Sequence, residues 1–299
     1  MRIPYLTKRH PSPYASSRLS SLLVSCLLLG IAAPASAQEQ EQEQEDSALP
    51  LWEVGLVAGA LSTPAYPGSN QRNQRALALP FLVYRGEVLR ADRNGVGARL
   101  LHTERAEFDI GFAASLPASS NDVDLRRGMP DLGTLIEFGP RVKIKLAEPA
   151  PDQRVTFELP LRAVLEFNAG VRQVGYVLEP KLAYEWQQRG DWRLRSAFSL
   201  MWGDAQLNRY FYEVPGAYAT ATRPAYEAQA GLIGSRIGLD GIKRLGPDLN
   251  LFAFARFDWH DAASNRTSPL FAQNQGSSFG LALSWTIGRS EARADTRAR

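Results

Sequence analysis

The sequence predicts an all-β fold, an antiparallel transmembrane β-barrel of about 12 strands with both termini on the periplasmic side. Three observations predict it. An export signal opens the chain, apolar and charged residues alternate with period two over long segments, and the connections between those segments alternate long with short.

The signal is the first element. Lys8, Arg9 and Arg18 precede an apolar run from Leu19 to Ala33 and then Ala35-Ser36-Ala37, the small-x-small pattern that a signal peptidase reads. The run is shorter than the roughly 20 residues of a helical span and carries serines, so residues 1–37 are expected to be cleaved. Leu23-Val24-Ser25-Cys26 also has the form of a lipoprotein processing site, but Leu27–Ala33 continues the apolar run directly past Cys26. Removing residues 1–37 takes four basic residues and no acidic one, which turns a net charge of +3 into −1 over 262 residues. The basic balance belongs in part to the signal and does not argue for nucleic acid as a partner. The only cysteine, Cys26, leaves with the signal, which excludes disulfide, thiol and thiolate-metal chemistry from the exported product.

Residues 38–50 read as a disordered acidic tether, because Gln38 to Asp46 is a run of Gln, Glu and Asp that cannot bury apolar surface. The barrel is expected over 51–288, followed by a C-terminal tail at 289–299 of mostly small and charged residues.

The barrel strands follow in order. Trp52 to Ala60, Arg75 to Tyr84, Glu87 to Asp92, Gly95 to Leu101 and Glu107 to Leu116 show short or weak alternation. From Ile136 to Leu146, apolar Ile136, Phe138, Val142, Ile144 and Leu146 interleave with Glu137, Gly139, Arg141, Lys143 and Lys145. A helix would scatter those charges around its circumference. The clearest case is Val155 to Phe167, thirteen residues in one register, with Thr156, Glu158, Arg162 and Glu166 among the residues between the apolar ones. Leu178 to Gln187 and Trp192 to Trp202 repeat the pattern, and Tyr226 to Ile237, Leu249 to His260 and Ser278 to Ile287 complete twelve candidates. Odd connections fall near 61–74, 93–94, 117–132, 169–174, 204–225 and 261–277. Even ones fall near 85–86, 102–106, 147–153, 188–191 and 238–246. Short periplasmic turns and longer outer loops alternate in this way when both ends are periplasmic, and Arg93-Asn94 is the one exception. Trp52, Trp186, Trp192, Trp202, Trp259 and Trp285 near strand ends suit interfacial belts. A soluble lipocalin-like barrel alternates too, with its apolar face inward, and alternation by itself does not say which face is out.

The polar register marks a charged lumen. Glu137, Arg141, Lys143, Glu158, Arg162, Glu166, Glu179, Lys181, Glu185, Arg193, Arg195, Glu227, Arg256 and Asp258 all fall on the expected inward face. These charges either line a narrow pore or pair across it and plug it.

Tyr66-Pro67-Gly68-Ser69-Asn70-Gln71-Arg72, followed by Leu79-Pro80-Phe81-Leu82-Val83-Tyr84-Arg85-Gly86, resembles the N-terminal signature of the MipA/OmpV family, the MltA-interacting proteins. Gly128-Met129-Pro130-Asp131-Leu132, Tyr210 to Val214, Arg223 to Tyr226 and Ser268-Pro269-Leu270 continue the resemblance, in order, from about Trp52 to Ile287. The resemblance implies a barrel in the outer-membrane lipid of a Gram-negative cell envelope. It also implies a scaffold that brings a murein-degrading lytic transglycosylase together with a penicillin-binding murein synthase in peptidoglycan turnover. Other relatives resemble adhesins or porin-like proteins, so a small-solute channel stays open as an alternative.

Enzymatic chemistry has little to stand on. A barrel lipid hydrolase needs a His beside a Ser, and only His102 and His260 survive signal removal. His260, with Ser264 and Ser268 nearby, is the candidate, and a polar interfacial residue is the plainer reading. No cofactor is expected, and two distant histidines do not make a metal site. Calcium near Asn121, Asp122 and Asp124 competes with a simple solvated loop.

Overall fold

Strand edges must be paired in lipid, and this chain pairs most of them by closing its sheet on itself. The computed structural model describes residues 49–85, 89–92, 95–187 and 192–294, all within one compact unit spanning Ser47–Arg299. The expected signal with Cys26, the expected tether up to residue 48, residues 86–88, 93–94 and 188–191, and residues 295–299 of the expected tail lie outside the described residues.

The strands are β1 (Trp52–Pro64), β2 (Arg72–Arg85), β3 (Leu89–Asp92), β4 (Gly95–His102), β5 (Ala106–Ser115), β6 (Thr134–Ala150) and β7 (Gln153–Phe167). They continue as β8 (Val171–Leu178), β9 (Lys181–Gln187), β10 (Trp192–Gly203), β11 (Gly231–Arg244), β12 (Leu249–Trp259) and β13 (Gln275–Arg289). Among the described residues one α-helix, α1 (Ala205–Tyr212), lies between β10 and β11. The pairing is antiparallel throughout, and β13 pairs with β1, which closes the barrel.

Among the described residues thirteen strands fill 12 wall positions, because β8 and β9 share one: each pairs with β7 on one side and β10 on the other. Glu179-Pro180 separates them, and a proline has no N–H to give the ladder. An even number of wall positions brings both chain ends to one rim. There Pro50 bridges Arg293, and Leu51 N–H donates to the Ala292 carbonyl.

The burial pattern decides which face is out. On β7, Leu159, Leu161 and Phe167 are exposed, whereas Thr156, Glu158, Arg162 and Glu166 are buried between them. Leu56, Leu82, Phe198, Leu281 and Trp285 extend the exposed apolar surface around the wall. A water-soluble barrel has the opposite arrangement, so the outer surface is made for lipid. Inside, aromatic rings cover glycines. A Cβ on Gly55 would lie 2.7 Å from the Phe81 ring, and one on Gly280 would lie 2.4 Å from Phe254.

Three elements differ from expectation. The strand expected at Tyr226 to Ile237 runs from Gly231 to Arg244, because Tyr226 instead forms a bridge with Val214. The strand expected from Leu178 extends back to Val171, and the turn before it shrinks to 168–170. The connection expected near 204–225 extends to residue 230 and contains α1.

Candidate functional site

Four long connections, at 65–71, 116–133, 204–230 and 260–274, fold together at the rim opposite the chain ends. Helix α1 anchors them. Asp204 is its N-cap, accepting from Leu207 N–H at 2.8 Å, and Leu207, Asn208, Phe211 and Tyr212 form its buried face. The helix start lies against β8 at Gly175, φ 130°, where a Cβ would come within 2.4 Å of Asp204 Oδ1.

Leu207, Phe211 and Tyr212 pack with Tyr66, Ala118, Val123, Leu132, Val174 and Ile233 in one apolar cluster. The segments that resemble the family meet here. Tyr66 OH donates to the Leu270 carbonyl at 2.5 Å, and Ser268 Oγ donates to the Tyr212 carbonyl at 2.6 Å. Arg126 Nη1 donates to the Phe211 carbonyl and its Nη2 to the Pro130 carbonyl. Arg223 Nη1 donates to the Leu125 carbonyl at 2.8 Å, and Asn265 Nδ2 to Asn208 Oδ1 at 2.9 Å. Burial in this cluster pushes the Tyr66 hydroxyl up to about 12. The result is a cap packed like a protein core across one mouth of the barrel.

Below the cap, the lumen holds a cavity of about 2290 Å³ that reaches Arg85, Arg105 and Arg154 at the opposite rim. Its charged side chains bridge neighbouring strands. Arg162 on β7 binds Glu137 at 2.8 Å and Glu179 at 2.6 Å, and Glu179 also meets Lys181 at 2.9 Å and Ser199 Oγ at 3.1 Å. Arg141 pairs with Asp109 at 2.6 Å, Arg195 with Glu158 at 2.8 Å, and Arg236 with Asp258 at 2.5 Å. Opposite charges on adjacent strands, and on β7 and β10 across β9, therefore brace one side of the wall.

Of the residues expected to face the lumen, Glu137, Arg141, Lys143, Glu158, Arg162, Glu179, Lys181, Glu185, Arg193, Arg195, Arg256 and Asp258 border this cavity. Glu166 is buried at the capped end of β7, accepting from Gly133 N–H and Tyr210 OH. Glu227 does not face the lumen: it lies in the connection before β11, with its side chain 84% exposed beside Arg209. The shifted start of β11 removes it from the wall. Asp109, Arg236 and Asp240 belong to the network without having been singled out. The alternation of Asp109 with Phe108 and Ile110 carried the signal for the first.

His260 is 2% exposed, and its Nδ1 lies 2.9 Å from the Ile233 carbonyl. A carbonyl only accepts, so Nδ1 is the donor, and the ring packs edge-on against Phe271. Ser268 Oγ serves Tyr212 and Leu270 instead of His260. In the loop considered for calcium, Asp124 is engaged by Gln71 and Arg127. Among the described residues no three metal-ligating side chains converge.

The family described as MltA-interacting protein MipA matches residues 56–287. No curated protein matches the chain. Among solved structures, the NanC porin is similar at TM-score 0.40 and 9% identity, covering 78% of this chain and all of that one. The translocator domain of the autotransporter NalP from Neisseria meningitidis is similar at TM-score 0.40 and 13% identity, over 84% of this chain and 95% of that one. Outer membrane phospholipase A from Escherichia coli is similar at TM-score 0.31 and 7% identity, over 81% of this chain and 96% of that one. The family match spans most of the chain and coincides with the closed, lipid-faced wall: the chain belongs to the MltA-interacting protein MipA family and is a β-barrel of the outer membrane.

Proposed function

We propose that the protein is a non-enzymatic scaffold for murein enzymes, holding a lytic transglycosylase and a penicillin-binding murein synthase at the periplasmic rim where its chain ends meet. The observation that carries this reading is the family match over 56–287, whose description names an interaction with MltA. The cap supports it, since a mouth filled by a core-like cluster suits a platform better than a conduit. Detergent-solubilised protein immobilised through its C-terminus is expected to retain a lytic transglycosylase from periplasmic extract. Recovery equal to an unrelated barrel of similar size removes the proposal.

A second reading, a small-solute channel, is favoured by one observation, the charged cavity of about 2290 Å³. It requires the cap to move aside, and planar-bilayer conductance that stays at baseline ends it.

A further inference from the structure

The inner wall is divided by chemistry. The ion-paired network runs from Asp109 on β5 to Asp258 near the capped end of β12, whereas the middle of β12, β13, β1 and β2 presents Phe252, Phe254, Ala282, Val57, Leu77 and Leu79 to the same cavity. The register aligns them in rows. Phe252 lies opposite Ala282, Ala282 opposite Gly59 and Gly59 opposite Leu77, while Val57 lies opposite Leu79. Leu79 is 52% exposed although it points inward, so this strip is apolar surface left open inside a polar lumen.

One cation stands at its edge. Arg256, two residues beyond Phe254 on the same face of β12, holds its guanidinium 4.8 Å from the Phe254 ring centroid. Arg141, Arg162, Arg195 and Arg236 each hold a carboxylate, but among the described residues Arg256 has none within ion-pair distance. It is exposed to the lumen. An apolar strip ending at an accessible, unpaired guanidinium is complementary to a molecule with an alkyl chain and an anionic head.

Among the described residues the wall beside the strip is incomplete. β3 has four residues and meets β2 at Tyr84 and Arg85, while β4 meets β5 at Glu107, Phe108 and Asp109. Among the described residues, β2 before Tyr84 pairs with β1 alone, and β5 from Ile110 to Ser115 pairs with β6 alone. Six residues of β5 make a gap on the order of 20 Å tall. Phe112, which is exposed on the outer face, borders the same cavity as inward-facing Leu77 and Leu79, so the lumen reaches the outer surface between β2 and β5. Unpaired backbone at membrane depth is tolerated where it borders a water-filled cavity.

We propose that the strip and Arg256 form a binding site for a long-chain fatty acid. The alkyl chain lies along β12, β13, β1 and β2, the carboxylate sits on Arg256, and the gap between β2 and β5 is its passage to the bilayer. The site does not depend on the scaffold reading.

The test uses the full exported chain in lipid nanodiscs and measures binding of radiolabelled palmitate by equilibrium dialysis against empty discs. Saturable binding above empty discs is expected, with Arg256→Gln weakening palmitate about tenfold or more and leaving hexadecanol unchanged, because only the charged head loses its partner. Leu79→Asn, at a half-exposed position with little packing to lose, is expected to weaken both ligands. Butyrate is expected not to compete. Palmitate binding that does not exceed empty discs, or that is unaffected by both substitutions in folded protein, overturns the proposal.

Discussion

Arg162→Leu is expected to lower the unfolding free energy by about 3–5 kcal/mol, the usual cost of removing one partner from a buried ion pair. Arg162 holds Glu137 and Glu179 at once, and its side chain is 10% exposed against 18% and 5% for theirs. Leucine fills part of the space but leaves both carboxylates facing each other without the bridging cation. Lys181 still reaches Glu179 at 2.9 Å, which limits the loss on that side. Adding Glu137→Gln and Glu179→Gln to Arg162→Leu is expected to recover much of the stability, since the stranded charges are then gone. Urea unfolding in lipid vesicles, followed by tryptophan fluorescence, reads both effects. A loss below about 1 kcal/mol for the single variant would mean that lumen water screens the network, as it screens a surface pair.

Tyr212→Ala is expected to cost about 3–5 kcal/mol as well, because a large ring is removed from the centre of the cap. Tyr212 is 1% exposed and packs with Phe211 and Phe271. Among the described residues its hydroxyl has no hydrogen-bond partner, and burial pushes the group well above the ordinary tyrosine range. Tyr212→Phe removes that unpartnered hydroxyl and keeps the ring, so it is expected to be neutral or stabilising by up to about 1 kcal/mol. The pair of variants separates packing from hydrogen bonding: a Phe variant as unstable as the Ala variant would mean that the hydroxyl is engaged. The Ala variant is also expected to raise ion conductance in planar bilayers above wild type, because the cap loses its central ring.

The wall was legible in the sequence because a strand facing lipid on one side and charge on the other writes period two into its residues. Val155 to Phe167 shows this most clearly, and the register of Arg162 and Glu158 followed from it. The cap was not legible in the same way, since its segments pack through carbonyl contacts between distant loops. Tyr66 to Leu270 and Arg126 to Phe211 leave no periodic trace. Helix α1 did leave a local signal, Asp204 followed by Leu207 and Phe211 at helical spacing, but eight residues inside a long connection read as a loop. Glu227 was assigned to the lumen because Tyr226 looked like the first residue of a strand. Its bridge to Val214 holds it in the cap, and Arg236 and Asp240 on β11 occupy the lumen instead. The resemblance named the segments at 66–72, 128–132, 210–214, 223–226 and 268–270 without showing that they meet.

The central claim, a closed barrel whose apolar face is outside, is tested most directly by heat-modifiability of the outer-membrane fraction. Detergent-extracted protein is expected to migrate as a compact form when loaded cold and to shift to the mobility of the unfolded chain only on boiling, because a wall with β13 paired to β1 resists detergent. Recovery from the soluble periplasm with no mobility shift would contradict it, since exposed Leu159, Leu161, Leu281 and Trp285 would then have no lipid to face.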